Sequence, residues 1–217
     1  MRANLALAAA AAAASMTAAS AQAATFTDGG FEAQSAGVEY CYFNYSGVNP
    51  ACGAGAWTGA DGGGLQVEDN QPWPGQATPD GSYYAFIQNT GYIEQTFTAA
   101  STGNFTLTWL DAGRPLGCCY GNQHYDVTLS GIGAVASFDT TSSQAFAARA
   151  SSSFHLTGGQ SYTVRFQGAA TGGDDTAFID QVAFSQAVPE PAAWALMIVG
   201  FGSAGAMLRR RRAAIAA

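Results

Sequence analysis

The chain has no lysine, only two histidines and few charges of either sign, with 11% of residues charged. Nucleic acid and anionic surfaces are bound through clustered basic side chains. Here the basic complement is eight arginines, four of them consecutive, Arg209 to Arg212. Setting aside those four, Arg2 and Glu190 leaves 3 basic and 14 acidic residues, a net charge of −11. No nucleic-acid partner is expected for such a surface. The chain also lacks a G-x-S-x-G elbow and an H-E-x-x-H zinc motif. No internal stretch shows a helical period with caps, which excludes a helical domain. Of the two histidines, His124 shares parity with Asp126 and faces outward, while His155 follows Phe154 near a turn. Neither is placed as a catalytic base. Glycoside hydrolysis needs two carboxylates across a cleft, and so acidic a chain always offers some pair, but none stands out.

What is present is clearest at the two ends. Met1-Arg2, the apolar run Leu5 to Ala14 and Ala21-Gln22-Ala23 follow the order of a secretory signal, with cleavage expected after Ala23. Ala192 to Leu208 is a second apolar run without charge, followed at once by the four arginines. As a helix it would span about 25 Å, near the lower limit for a bilayer. The arginines would hold its far end in the cytoplasm, so the body lies outside the inner membrane. The expected organisation is therefore a signal peptide over 1–23, an ectodomain over 24–187, and an anchoring tail over 188–217 with a transmembrane helix at 192–208.

Pro189-Glu190-Pro191, Trp194-Ala195, Gly200-Phe201-Gly202 and the cluster Arg209, Arg210, Arg211, Arg212 together resemble the PEP-CTERM sorting signal, in its P-E-P-x-x-W-A form. That resemblance implies processing at the Pro-Glu-Pro element by an exosortase, a membrane-embedded cysteine protease. It also implies a cell-surface or extracellular destination, in bacteria that make exopolysaccharide and biofilm.

The ectodomain of about 165 residues is long enough for one core. Phe105, Leu107 and Trp109 alternate with threonines, and Tyr125, Val127, Leu129 and Tyr162, Val164, Phe166 repeat the pattern of half-buried strands. Further strands are expected at Gly64 to Val67, Tyr83 to Ile87, Tyr92 to Phe97, Gln144 to Phe154 and Thr176 to Phe184, separated by glycine-rich turns. The fold class expected is all-β, a two-sheet antiparallel β-sandwich of jelly-roll type.

Cys41, Cys52, Cys118 and Cys119 meet an oxidising compartment, so two disulfides are expected. Pairing Cys41 with Cys52 leaves the neighbours Cys118 and Cys119 to a strained bond. The crossed pairings give two ordinary bridges and are favoured.

Phe178, Asp180, Val182 and Phe184 share one face of the last strand if its alternation is unbroken. Asp180 would then point into the core, where a carboxylate needs a partner. Calcium suits carboxylate and carbonyl oxygens, which Glu32 and the glycine-rich turn before it could supply. Backbone amides at a strand end are the alternative partner. The segments Gly29-Gly30-Phe31-Glu32 and Ile179-Asp180-Gln181-Val182 resemble the opening and closing strands of galactose-binding-like sandwiches, among them carbohydrate-binding modules. That resemblance implies a structural calcium held by Glu32 and Asp180, with Asp28 and Asp175 as further candidates.

Aromatic rings crowd the loops. Trp57, Trp73, Tyr45 and Tyr120 are the candidate platforms for sugar rings, with amides such as Asn44 and Asn122 nearby. Packing beneath their own loops is the competing explanation. The expected role is noncatalytic binding of extracellular polysaccharide, against a glycan-active hydrolase or a purely structural matrix protein.

Overall fold

The alternating segments are strands. A computed structural model describes residues 25–34, 37–44, 47, 49–67, 74–115, 122–169, 174–186 and 196–206. The expected signal peptide, Tyr45, Trp73, Cys118, Cys119, Tyr120, the Pro-Glu-Pro and Trp194 positions and the arginine cluster lie outside them. Twelve strands are described: β1 (Tyr40–Tyr42), β2 (Trp57–Ala60), β3 (Gly63–Val67), β4 (Tyr83–Gln88), β5 (Tyr92–Thr98), β6 (Gly103–Gly113), β7 (Gln123–Leu129), β8 (Gly133–Thr140), β9 (Ala147–Ala150), β10 (Phe154–Leu156), β11 (Ser161–Ala169) and β12 (Thr176–Gln186). One sheet runs β1-β3-β4-β12-β6-β10, with β9 also on β6, and the other runs β2-β5-β11-β7-β8. Every paired strand is antiparallel. The expected two-sheet sandwich is the fold. The single strand expected over Gln144 to Phe154 is split, because Ser151 and Ser152 turn aside to bond Leu107 and Val135 carbonyl oxygens.

The core lies between the sheets. Phe105, Leu107 and Trp109 of β6 face Tyr125, Val127 and Leu129 of β7 and Val164 and Phe166 of β11, all buried. A smaller cluster of Tyr42, Tyr84, Phe86, Ala112 and Phe178 packs on the other face of the first sheet, against Phe146. That second cluster reveals a break in the alternation of β12. Ala177 and Ile179 belong to the main core and Phe178 to the outer cluster, whereas Val182 and Phe184 face the main core again. Asp180 opposes Leu110 and Ala183 opposes Thr108, so β12 carries one extra residue there. This is a β-bulge, with Gln181 at φ 51°. The expected common face of Phe178, Asp180, Val182 and Phe184 is thus corrected: Asp180 is buried on the outer side of the sheet.

The crossed disulfides are corrected as well. Cys41 is bonded to Cys52, with Cα atoms 4.8 Å apart. Tyr42 donates its N–H to Pro50 and receives that of Cys52, so the chain doubles back beside β1 and sets the two cysteines side by side. Toward the C-terminus a helix covers 196–206. The rest of the span expected over 192–208 lies outside the described residues, and among the described residues no helix is long and apolar enough to cross a membrane.

Candidate functional site

Two places in the sandwich carry polar chemistry that the fold alone does not explain. The first is the seam between the opening turn and β12. β4 pairs with β12 only as far as Ile179. Below that point the Gly29 carbonyl accepts the Val182 N–H at 2.9 Å, and a Cβ on Gly29 would collide with the Val182 carbonyl. Glu32 reaches across to accept the N–H groups of Ser82 and Tyr83, both at 2.9 Å, through one carboxylate oxygen. Gly81, at φ 67°, makes room for that carboxylate.

Asp180 sits at this seam with no exposed surface. Its Oδ1 accepts the Gln181 N–H at 2.7 Å, and its Oδ2 is buried without a hydrogen-bond partner. Burial pushes its carboxyl up to about 7, the Gln181 hydrogen bond opposes the rise, and the charges of Asp80 and Glu32 add to it. The seam therefore holds a carboxylate with one oxygen unpartnered, near two others of the same sign. Asp80 was missed in the sequence, where Pro79-Asp80-Gly81 reads only as a turn.

The other two metal candidates stand elsewhere. Both carboxylate oxygens of Asp28 are occupied, by the N–H groups of Glu32 at 2.7 Å and Ala33 at 3.0 Å. Its role is to shape the turn that delivers Glu32. Asp175, just before β12, lies five residues from Asp180, about 16 Å along a strand, too far for one ion. It exchanges bonds with Asn89 instead. Among the described residues no three His, Cys, Asp or Glu side chains form a ready-made metal cage.

The second place is a groove of about 530 Å³ beside the disulfide, lined among others by Asn44, Cys52, Gly55, Thr58 and Tyr92. β2 is the edge strand of its sheet, paired only with β5. Tyr92 is half-buried. The Arg165 guanidinium lies 4.0 Å over its ring centroid and bonds Glu94 at 2.6 Å. That stacking fixes the ring's orientation. Trp57 also borders the groove, but it is only 1% exposed. Its ring packs on Phe26 and Phe31, and its indole N–H donates to the Asp28 carbonyl at 2.8 Å. The expectation of Trp57 as a sugar platform is therefore corrected: it belongs to the core. Tyr92 is the half-buried ring at this groove, and sequence reasoning passed over it because it reads as one more residue of an alternating strand.

Residues 187–212 match the PEP-CTERM protein-sorting motif. The chain carries a PEP-CTERM sorting signal. The match includes Pro189, Glu190, Pro191, Trp194 and the four arginines on which the resemblance was read. It marks an exported protein. No curated protein matches the sequence. Among solved structures, TmCBM61 in complex with β-1,4-galactotriose is 15% identical and overlaps with a TM-score of 0.48, over 75% of this chain and 99% of that one. A Stig cyclase from Fischerella sp. TAU is also 15% identical with a TM-score of 0.48, over 77% and 100%. A family 35 carbohydrate-binding module from Clostridium thermocellum is 20% identical with a TM-score of 0.41, over 60% and 92%. Likenesses this distant carry no argument about ligand or activity.

Proposed function

We propose that this PEP-CTERM protein is a noncatalytic component of the cell surface or extracellular matrix whose sandwich binds polysaccharide. The observation behind this reading is the groove beside Cys41–Cys52. It combines a stacked, half-buried tyrosine ring with the Asn44 amide, the Thr58 hydroxyl and the open edge of β2. A flat ring supplies apolar contact to a sugar face, and a few polar groups set its orientation. In this reading the tail holds the protein at the inner membrane until an exosortase-type protease cuts it. Affinity electrophoresis of the ectodomain in gels containing soluble polysaccharides tests the binding. Retardation should be lost in Tyr92→Ala while the melting temperature stays close to wild type. Release of reducing ends would replace this reading with a hydrolase, and neither retardation nor release would leave a structural protein.

Calcium at the seam belongs to the same proposal. The partnerless Oδ2 of Asp180 fits a hard cation, which would remove the conflict with Glu32 and Asp80. Asp180 and the remaining oxygen of Glu32 would hold it, completed by backbone carbonyls and water. A bound ion would tie the opening turn to the last strand.

A further inference from the structure

The last strand ends close to the sorting motif. β12 finishes at Gln186 and Pro189 follows three residues on, at most about 11 Å of extended chain. Ala192, where the apolar run begins, is at most about 22 Å away. While that run is held in a bilayer, the end of the sandwich where β12 finishes must lie near the lipid surface.

The loops at that end are fixed by their bonding. Gln186 is opposite Phe105 and Leu156 is opposite Gly103. Residues 99–102 and 157–160 are joined there, with Ala99 donating to the Gln160 carbonyl and Gly159 to that of Ala99. The β7–β8 hairpin at 130–133 lies alongside, with Ser130 donating to the Thr163 carbonyl. On a chain this acidic, the charge distribution here is unusual. No Asp, Glu, Lys or Arg occurs in 95–110, 127–138, 150–164 or 181–188. Ile132, 39% exposed at the hairpin tip, is the one exposed large apolar side chain among the described residues of the sandwich. Glu94 and Asp126 each lie four residues up their strands from Thr98 and Ser130, about 13 Å. That exceeds the Debye length of about 8 Å at physiological salt. Of the exposed acids, Asp61 and Asp139 stand toward the opposite end, in the β2–β3 turn and near the close of β8, whereas Glu32, Glu39 and Asp80 stand beside the start of β4, on the half of the sandwich where β12 finishes.

We propose that the uncharged loops at this end form a membrane-facing surface. While the tail is uncut, loops 99–102, 130–133 and 157–160 rest on lipid headgroups, with Ile132 in contact and the acids beside β4 set back from the anionic bilayer. The inference rests on the anchored reading of the tail. Its test is amide hydrogen exchange of the full chain, free and inserted in vesicles of phosphatidylethanolamine and phosphatidylglycerol. Exchange at 130–133 and 157–160 should slow several-fold on insertion, with 61–62 and 89–91 unchanged. Ile132→Asp combined with Thr157→Asp should abolish the slowing while the free protein melts as wild type. Equal exchange at both ends of an inserted chain overturns the surface but not the anchor. Protection that arrives only with the processing protease overturns lipid contact in favour of a protein partner. A chain that does not insert at all removes the anchored reading and this one with it.

Discussion

Asp111 and Asp180 are both wholly buried on the same sheet, yet their surroundings are opposite. Asp111 accepts from Arg149 Nε at 2.8 Å, from the Tyr125 hydroxyl at 2.8 Å and from Gln144 Nε2 at 2.9 Å. Trp109 in turn donates to the Tyr125 hydroxyl at 2.8 Å. Burial, and then the charge of Asp111, hold the Tyr125 hydroxyl far above its ordinary range, so it stays a donor. Asp180 has one backbone N–H, and carboxylates for neighbours. The first carboxylate is completed by the protein; the second keeps one oxygen without a hydrogen-bond partner. Burial alone does not tell these two carboxylates apart, whereas counting their partners does.

The largest test of that contrast removes the cation from the satisfied site. Arg149→Ala should destabilise the domain by about 3–5 kcal/mol, the cost of stranding a buried charge, as measured by urea denaturation. The next concerns pH without metal. The Asp180 carboxyl rises from 3.8 to about 7 on folding, so between these values the folded state binds more protons than the unfolded one. In EDTA this group should therefore make stability fall as pH rises from about 4 to about 7, by about 4 kcal/mol at most. Asp180→Asn should remove that slope. If the slope survives in the variant, Asp180 is not its source.

Calcium should act on the same residue. A native-state ligand at a hundred times its Kd adds about 2.7 kcal/mol, seen as a rise in melting temperature over EDTA that Asp180→Ala abolishes. Superimposed melts in EDTA and millimolar calcium would remove the ion and leave a proton as the partner of Asp180. The smallest effect is expected for Asp28→Ala, about 1–2 kcal/mol from lost bonds to two amides, with the calcium response retained if Asp28 shapes the turn and is not a ligand.

The sandwich was legible because alternation is a local property. Phe105 to Trp109 and Tyr162 to Phe166 show their buried face in the sequence itself. The bulge at Gln181 was not legible, since parity continues through a sequence whether or not the strand does. The face of Asp180 was misread for that reason alone, although its burial was anticipated. Asp80 and Arg165 matter through residues 100 and 73 positions away in the chain, Asp180 and Tyr92, and pairings that distant leave no local pattern. Trp57 was read as a platform because an aromatic ring near a cysteine loop looks the same in sequence whether it faces solvent or Phe31.

Of the described strands β12 is the last to be made, and it lies in the interior of its sheet between β4 and β6. Because chains are synthesised from the N-terminus, the earlier strands must wait for it with a gap at the centre of the sheet. The sandwich cannot close until nearly the whole chain has emerged. The element that completes the fold is also the one that leads directly into the sorting tail. Translocation and folding are thereby placed in sequence: the domain stays open enough to thread a channel until its final strand arrives, and closes with the address label already beside it.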